Sequence, residues 1–346
     1  MPELKLYTIA DLRNWIKHSQ PVEGLSEKVI APSRAWAIVN NPYVHDNDAV
    51  VSAIFDEGEL AAFTATFPEM INGKKYWWYT TLWCNPKFQG KGYGVVVVGS
   101  LAEQHEEDGI MDRWGAEETI EIFKYLGLQT EYSTRYCLEN GVIHKDSLKG
   151  KIAFLKQELV NRWRNRKQRV SQLGYSLRYL SYIDDSTYEF IKNHRNQNLF
   201  LHTQEMLNWE LEYPYVQSCP ILGKVNINNA FPSVSTQYRY FAVQVLDENQ
   251  ELIGFYVLRG ESARLSVIYL YFDESNCQLV FMSILDHIRV LAPSSLQTEY
   301  KGLAEYVEKK YYFPHKRLEK ISFSHPSEFL YDEKYTFQMG DGDSFA

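Results

Sequence analysis

Apolar positions follow two different periods along the chain, which predicts a mixture of helices and strands. Thr8 is a typical helix-capping residue, and apolar positions in residues 9–18 share one helical face. Residues 34–39 are predicted as a first strand. Runs rich in β-branched and aromatic residues predict further strands at 48–55, 59–67 and 76–84. Turn sequences separate these runs, so we expect antiparallel hairpins.

The strand at 76–84 leads into a glycine-rich turn and then into another helix. The turn is Gln89-Gly90-Lys91-Gly92-Tyr93-Gly94, and the apolar residues 95–103 continue as a helix. Glycines let the backbone approach an anion closely, and a helix N-terminus directs N–H groups towards it. Lys91 adds a mobile positive charge. This order predicts a phosphate-binding site, followed by a further helix that ends at Gly127.

The second half of the chain repeats the order of the first. Residues 183–194 resemble 9–18, and the hairpin at 244–255 resembles the hairpin at 53–63. Residues 263–272 correspond to the strand at 76–84. We therefore predict an α+β fold of two domains, each a mostly antiparallel mixed sheet flanked by helices. The predicted bounds are 1–148 for the first domain, 149–170 for a linker helix with a packed apolar face, and 171–346 for the second domain.

Composition and charge narrow the classes of function. The chain has 346 residues, 45% of them hydrophobic, which is typical of a globular protein. A formal net charge of −8 argues against a nucleic-acid partner. The cysteines have no metal-binding spacing, so no metal is predicted. No apolar run has membrane-spanning length and no signal peptide is apparent, so we expect a cytoplasmic protein without a membrane partner, either a monomer or a homodimer.

The residues around the glycine turn resemble the signature of the GCN5-related N-acetyltransferases, the GNAT superfamily. Gln89, Gly92 and Gly94 match the fixed positions, and Pro86 and Phe88 match the usual lead-in. The dinucleotide-binding pattern has a different glycine spacing, and a nucleotide-triphosphate loop would need Ser or Thr after Gly-Lys. The resemblance covers residues 83–94 by motif and most of 1–145 by element order.

The resemblance implies a coenzyme A site in a gap beside the strand at 76–84. The pyrophosphate would bind backbone N–H groups of the glycine turn, and the pantetheine arm would pair with the strand end. The implied cofactor-binding residues are Leu82, Trp83, Cys84, Gln89, Gly90, Lys91, Gly92, Tyr93 and Gly94. The second half has Asp273-Glu274-Ser275 in place of the glycines, so we expect no coenzyme A there.

The resemblance also implies direct transfer of an acetyl group from acetyl-CoA to a primary amine. The acceptor, a small molecule or a peptide, is left open. The tyrosine that often protonates the leaving thiolate is replaced by Phe123, and Tyr125 is the nearest alternative. Glu69 is the candidate base, although an ordinary solvated acid is the competing interpretation. His105 is expected to face solvent or cap its helix, and Cys84 to be a small apolar neighbour of the cofactor rather than a nucleophile.

Three functions therefore stay open from sequence. The first is an N-acyltransferase, the second is a catalytically weak coenzyme A-binding or regulatory protein of the same fold, and the third is a module for another phosphate ligand. Residues 335–344 resemble the closing strand of some GNAT-like domains.

Overall fold

The structure is a computed structural model. It describes residues 1–140, 174–195, 198–215, 217–218, 234–235, 238–331 and 334–342, with the helical residues 152, 155–156 and 159–161. The predicted linker helix lies mostly outside these residues. Of its apolar positions, Ile152, Leu155 and Leu159 are described, and all three are exposed. The expectation that these three pack against the protein is therefore wrong.

Residues 1–140 form six strands and four helices. In chain order these are β1 (Glu3–Thr8), α1 (Ile9–Lys17), α2 (Pro32–Val39), β2 (Ala49–Asp56), β3 (Glu59–Ile71), β4 (Lys74–Cys84), α3 (Tyr93–Gln104), β5 (Ile110–Arg113), α4 (Glu117–Tyr125) and β6 (Gln129–Glu139).

The described part of the second half begins at β7 and ends with an irregular tail. Its elements are β7 (Tyr175–Leu180), α5 (Asp185–Asn193), α6 (Gln204–Glu212), β8 (Gln217–Ser218), β9 (Val234–Ser235), β10 (Tyr238–Asp247), β11 (Leu252–Glu261), β12 (Arg264–Phe272), α7 (Cys277–Leu291), β13 (Ser295–Thr298), α8 (Lys301–Lys310) and β14 (His315–His325).

Within the described residues, twelve strands form one mixed sheet with flanking helices, which confirms the predicted fold class. The strand order is β1-β2-β3-β4-β5-β14-β6-β13-β12-β11-β10-β7. Strands β1 to β4 are antiparallel, and β4 pairs in parallel with β5. Strands β7, β10, β11 and β12 repeat this antiparallel order, and β12 pairs in parallel with β13. The two halves thus share one topology, while the domain bounds remain a prediction.

The two halves exchange strands at the centre of the sheet. Strand β14 from the second half pairs with β5 of the first half, and it also pairs with β6 along its whole length. Strand β6 from the first half pairs in turn with β13 of the second half. Each half therefore completes an edge of the other through backbone hydrogen bonds.

Strand β4 diverges from β5 after a short contact. Only Trp77 and Trp78 pair with β5, so the edge from Tyr79 to Cys84 has no strand partner in the described residues. The pairing of β4 with β3 also shifts register, leaving Thr80 as an extra residue between Tyr79 and Thr81. Such a bulge bends the strand and increases its twist. A wedge-shaped gap opens in the middle of the sheet.

Two sequence predictions of local structure have opposite outcomes. The side chain of Thr8 accepts a hydrogen bond from Asp11 N and caps α1, as predicted. The strand predicted at 34–39 is wrong, because these residues belong to helix α2. Pro32 opens that helix at a position where a missing N–H costs nothing, and the alanines that follow favour helix.

The helices cover both faces of the sheet and bury its aromatic residues. Helix α3 packs against β2, β3 and β4, while α1 and α2 pack together on the other face. Trp77 and Trp78 are almost completely buried, as expected for core residues. Among the described helices, none is long and apolar enough to cross a membrane.

Candidate functional site

The glycine turn takes the conformation that its sequence requires. Gly90 has a φ of +83° and Gly92 a φ of +77°, both in the left-handed region that favours glycine. Gly92 is also the N-cap residue of α3. Gly94 has a different role, since a Cβ there would lie 3.1 Å from Cys84 Sγ. It lets the start of α3 pack closely against the end of β4.

The turn presents backbone donors at the start of a helix. Gln89 N and Lys91 N donate to the carbonyls of Pro86 and Phe88. No acceptor is recorded in the described residues for the N–H groups of Gly90, Gly92, Tyr93 and Gly94. The positive end of the α3 dipole lies at the same place. These groups can bind an anion such as a phosphate.

The side chains of Lys91 and Tyr93 contact the β2–β3 hairpin. Lys91 Nζ lies 2.8 Å from Asp56 Oδ2, and the Tyr93 hydroxyl donates to the same oxygen at 2.7 Å. The hydrogen bond from Lys91, and then that from Tyr93, lowers the pKa of Asp56. Lys91 therefore forms an ion pair with Asp56 on the β2–β3 hairpin, and a mobile charge at this position stays a prediction.

A groove of about 680 Å³ runs along the turn. Seven of the nine residues predicted to bind cofactor line it: Leu82, Cys84, Gln89, Gly90, Gly92, Tyr93 and Gly94. Trp83 and Lys91 do not, and Trp83 packs instead beside Phe63 with 5.8 Å between ring centroids. Burial raises the pKa of the Cys84 thiol, which disfavours the thiolate that a nucleophile would need.

A second cavity, of about 440 Å³, occupies the gap between β4 and β5. It shares Leu82 and Thr119 with the groove, so the two are neighbours. Its other walls come from several elements: Tyr79, Thr80, Thr81, Val98, Asp112, Arg113, Trp114, Gly115, Ala116, Phe123, Arg135, Arg259 and Met339. A ligand could extend from the glycine turn into the sheet along the unpaired edge of β4.

The predicted catalytic residues do not line this cavity. Tyr125 is 79% exposed, on the outer side of α4. Phe123, at the usual acid position, is buried and lines the cavity, with its ring 5.1 Å from that of Tyr79. The Tyr79 hydroxyl donates to Val98 O, and its pKa is raised by burial. A catalytic role for Tyr125 has no support in this geometry.

Glu69 is not the solvated loop acid of the competing interpretation, because it lies within β3 and is 1% exposed. It accepts a hydrogen bond from Trp78 Nε1 at 2.6 Å and pairs with His202 Nδ1. The other nitrogen, His202 Nε2, lies 2.9 Å from Asp341 Oδ1. Glu69 lines neither cavity, so its geometry indicates a structural ion pair rather than a base.

This ion pair belongs to a buried charged cluster between the two halves. Burial alone would lower the pKa of His202, but Glu69 and Asp341 raise it well above its usual value. Asp341 also contacts Arg113 Nη1 at 3.3 Å, and Arg113 Nη2 lies 2.6 Å from Glu299. Burial of these charges is tolerable because each has an opposite charge and hydrogen bonds.

His105 is the C-cap residue of α3, but it does not face solvent. Its ring is 4% exposed and stacks on Trp77 with 3.7 Å between centroids. Burial lowers the pKa of His105 to about 4. The ring is therefore neutral at physiological pH, and the expectation of a solvent-facing side chain is wrong.

In the second half, the protein's own tail occupies the position that corresponds to the gap beside β4. Strand β12 also has a bulge, at Ile268, and pairs with β13 over only three residues. Gly340 N donates to Ile268 O at 3.0 Å, and Leu270 N donates to Gln338 Oε1 at 2.6 Å. The expected closing strand at 335–344 is thus an irregular segment where it is described.

Several cavity residues could not be found from sequence. Arg259 and Met339 come from the second half, and Arg135 comes from β6. Their approach to the gap depends on the strand exchange, which leaves no local signal. Thr119 and Ile122 on α4 could have been found from the helical period, because both face the start of α3.

Comparison with known proteins identifies the domain that holds the groove. Residues 9–127 match the family model described as the acetyltransferase (GNAT) family. Residues 9–127 form a GNAT domain. No curated protein matches the sequence closely enough to count as a relative. The GNAT domain contains the glycine turn, the groove and most of the cavity wall.

Solved structures with this domain type resemble the chain over nearly its full length. A putative acetyltransferase from Pyrococcus horikoshii is 12% identical with a TM-score of 0.52, and the match covers 97% of this chain and 93% of that one. A tandem GNAT protein from the clavulanic acid biosynthesis pathway is 9% identical with a TM-score of 0.51. That match covers 96% of this chain and 100% of the other. At these identities the likeness shows the fold.

Saccharomyces cerevisiae N-myristoyltransferase, solved with bound myristoyl-CoA, has the same fold. It is 10% identical with a TM-score of 0.51, covering 94% of this chain and 82% of that one. The match of residues 9–127 to the acetyltransferase (GNAT) family model supports an acyltransferase. Within the described residues, no group of three or more His, Cys, Asp or Glu side chains is placed to hold a metal ion.

Proposed function

We propose that the protein transfers an acetyl group from acetyl-CoA to a primary amine of a small molecule or peptide. The observation that supports this most is the junction of groove and cavity at Leu82 and Thr119. It offers an anion-binding turn at one end and unpaired backbone groups of β4 beyond it. Coenzyme A has a pyrophosphate and an amide-bearing arm in the same order.

The chain's own residues fit such a donor. The N–H groups of Gly90, Gly92 and Gly94 would bind the pyrophosphate. The unpaired edge of Leu82 to Cys84 would pair with the amides of the arm, as an added strand pairs with a sheet edge. Gly94 holds the start of α3 close to the end of β4, because any Cβ there would meet Cys84 Sγ at 3.1 Å.

The reaction would proceed by direct attack. The neutral amine would form a C–N bond with the thioester carbonyl carbon, the C–S bond would break, and the thiolate would leave. Unpaired N–H groups of β4 near the bulge at Thr80 would stabilise the negative charge on the carbonyl oxygen. The attacking nitrogen must also lose a proton, which the leaving thiolate takes up, so that the products are an amide and the free thiol of coenzyme A.

One observation favours a second candidate, a coenzyme A-binding protein with weak turnover. Phe123 takes the place of the usual acid on the cavity wall, and the Tyr79 hydroxyl is already bound to Val98 O. The leaving thiolate thus lacks an evident proton donor in the described residues. Such a protein would bind coenzyme A without releasing thiol rapidly.

Calorimetric titration and thiol release separate these functions. We expect acetyl-CoA and coenzyme A to bind with a Kd on the order of micromolar, and simple nucleotides to bind far more weakly. Nucleotide binding without coenzyme A binding would contradict the proposal. Steady thiol release with a panel of amines would support the transferase, and binding without release would support the second candidate.

Asp273→Ala is a matched control in the second half. Asp273 caps the short turn after β12, which corresponds to the glycine turn after β4. Since the tail already occupies that gap, we expect coenzyme A affinity to be unchanged. A large loss of affinity would place a cofactor contact in the second half and would require a different assignment.

A further inference from the structure

Asp112 lies at the narrow end of the gap between β4 and β5. The last pair between these strands is Trp78 with Met111, so Tyr79 and Asp112 are the first neighbours across the diverging edges. Residues in register on neighbouring strands point to the same face of a sheet. Burial, and then the charge of Asp112, raises the pKa of Tyr79, which agrees with their proximity.

The side chain of Asp112 points to the face of the sheet that α3 and α4 cover. On that face, the Tyr79 hydroxyl donates to Val98 O in α3. Val98 and Phe123 of α4 line the cavity together with Asp112. The next residue of β5, Arg113, points to the opposite face, because side chains alternate along a strand. Asp112 therefore lies on the side of the gap that adjoins the groove.

Within the described residues, Asp112 is the one side chain on the cavity wall that can take up and release a proton near neutral pH. The wall also holds three arginines, Arg113, Arg135 and Arg259, but guanidinium groups stay protonated. The Tyr79 hydroxyl already donates a hydrogen bond, and burial raises its pKa. The other wall residues are apolar or carry hydroxyl and indole groups, which do not ionise in this range.

The start of α4 favours the ionised form of Asp112. A Cβ placed on Gly115 would lie 2.7 Å from Asp112 Oδ2, so this oxygen lies against the loop that leads into α4. Ala116, the N-cap residue of α4, gives the helix no side-chain hydrogen bond. The positive end of the helix dipole is therefore close to the carboxylate and stabilises its negative charge. Asp112 is 6% exposed, so water screens this effect poorly.

We propose that Asp112 carries the proton from the attacking amine nitrogen to the departing sulfur. This inference rests on the proposed transferase function and names the residue that performs its proton transfer. Asp112 Oδ2 is fully covered, so Oδ1 is the oxygen that contacts a ligand in the cavity. As the C–N bond forms, the nitrogen gives a proton to Oδ1. As the C–S bond breaks, its electron pair stays on sulfur, and Oδ1 returns the proton to it.

One carboxylate thus serves as base and as acid in turn. It begins and ends the reaction ionised, and no other proton donor or acceptor is required. Phe123 can then be an apolar part of the cavity wall without loss of turnover. The buried Glu69, which lines neither cavity, takes no part in the reaction.

Bound coenzyme A tests the proximity of Asp112 to the sulfur without any acceptor. The ultraviolet absorbance of the thiolate is titrated with pH on the full-length protein saturated with coenzyme A. The reference is the complex with desulfo-coenzyme A, which has hydrogen in place of the thiol, so that Tyr79 and Cys84 ionise alike in both. The Asp112 charge opposes a thiolate beside it and raises the pKa of the bound thiol. In the neutral Asp112→Asn, this pKa should be lower by about one unit or more, and equal values would overturn the proposal.

Glu117→Gln is the matched control, because Glu117 is an exposed carboxylate in the first turn of α4 that lines neither cavity. The pKa of the bound thiol should match that of the wild type. An equal decrease in both variants would show that any charge lost near α4 has this effect, and would overturn the assignment. If thermal melting shows that Asp112→Asn does not fold, the wild type decides alone. Its bound thiol must then have a higher pKa than free coenzyme A.

Thiol release from acetyl-CoA with a panel of amines gives the second readout. Asp112→Asn should release thiol about 100-fold more slowly than the wild type at unchanged coenzyme A affinity, and Glu117→Gln should keep the wild-type rate. Coenzyme A binding with an unaltered rate in Asp112→Asn would overturn the role of Asp112 and leave the transferase intact. A protein that does not bind coenzyme A would overturn both.

Discussion

At the scale of single residues, the glycine turn can be tested directly by substituting one of its glycines. Gly92→Glu strains the backbone, because the φ of +77° at this position disfavours any residue with a Cβ. It also places a carboxylate at the anion site, where it would repel the pyrophosphate. We expect coenzyme A binding to fall below detection in a calorimetric titration, with the fold retained.

Gly73→Glu is its control, because Gly73 has a φ of +85°, open space around it and a position in the distant β3–β4 turn. The same strain is introduced there without the charge at the groove. Coenzyme A affinity should match the wild type. Equal loss in both variants would mean that strain, and not the site, causes the effect.

The buried charges around His202 predict how stability depends on pH. The raised pKa of His202 keeps a proton that the unfolded chain releases above about pH 6.5. Burial raises the pKa of Glu210, so its carboxyl stays protonated where an unfolded glutamate, with a pKa of about 4.3, has ionised. The folded state binds more protons in both cases, so the free energy of unfolding decreases as pH rises from about 6.5.

Glu210→Gln isolates one of these two contributions. Gln keeps the shape of the protonated carboxyl, which accepts hydrogen bonds from the Tyr269 hydroxyl at 2.7 and 2.9 Å. Urea denaturation between pH 6 and 9 should show a shallower loss of stability than in the wild type. An identical slope for both proteins would assign the whole effect to other groups.

Residues of the glycine turn were predictable because their constraints are local. A positive φ, a helix start and an N–H array all arise within six consecutive positions, 89–94. His202, Arg113 and Arg259 gave no such signal. Their partners are distant in sequence, and only the folded sheet places Glu69 beside His202 or Arg259 beside the gap.

At the scale of elements, the tail beside β12 depends on one close contact. A Cβ on Gly340 would lie 2.1 Å from the Tyr269 ring. Gly340→Ala should therefore displace the tail and lower the free energy of unfolding by about 1–3 kcal/mol, measured by urea denaturation.

Gly99→Ala is expected to raise the free energy of unfolding in the same urea denaturation experiment. Gly99 lies in α3 with nothing near its Cβ position, so alanine should stabilise by about 0.5–1 kcal/mol. Destabilisation by both changes would show that the contact with Tyr269 is not the cause at Gly340.

The strands and helices themselves were predictable where the period of apolar positions was clear, as in β2 to β4 and α3. Residues 34–39 were assigned to a strand because apolar residues dominate a short run, and such a run does not distinguish strand from helix. The preceding Pro32 and the alanines were the neglected helix signals. The irregular tail could not be predicted, since its hydrogen bonds go to the distant strand β12.

At the scale of the whole molecule, the exchange of β6 and β14 makes the halves interdependent. Residues 1–140 alone would leave β5 without β14, and β6 without either of its partners, β14 and β13. We expect this fragment to lack cooperative unfolding by circular dichroism, and co-expression with residues 174–346 to restore it in part. A fragment that unfolds cooperatively as a monomer would contradict the prediction.

Strand exchange also delays the completion of the sheet while the protein is being synthesised. Strand β14 leaves the ribosome about 200 residues after β5, which is about 10–40 s at typical rates of translation. The nascent chain must carry an unpaired sheet edge during that interval, when aggregation and chaperone binding compete with folding. The glycine turn and its groove are synthesised early, but the first half gains its final neighbours only when the last strand, β14, has been made.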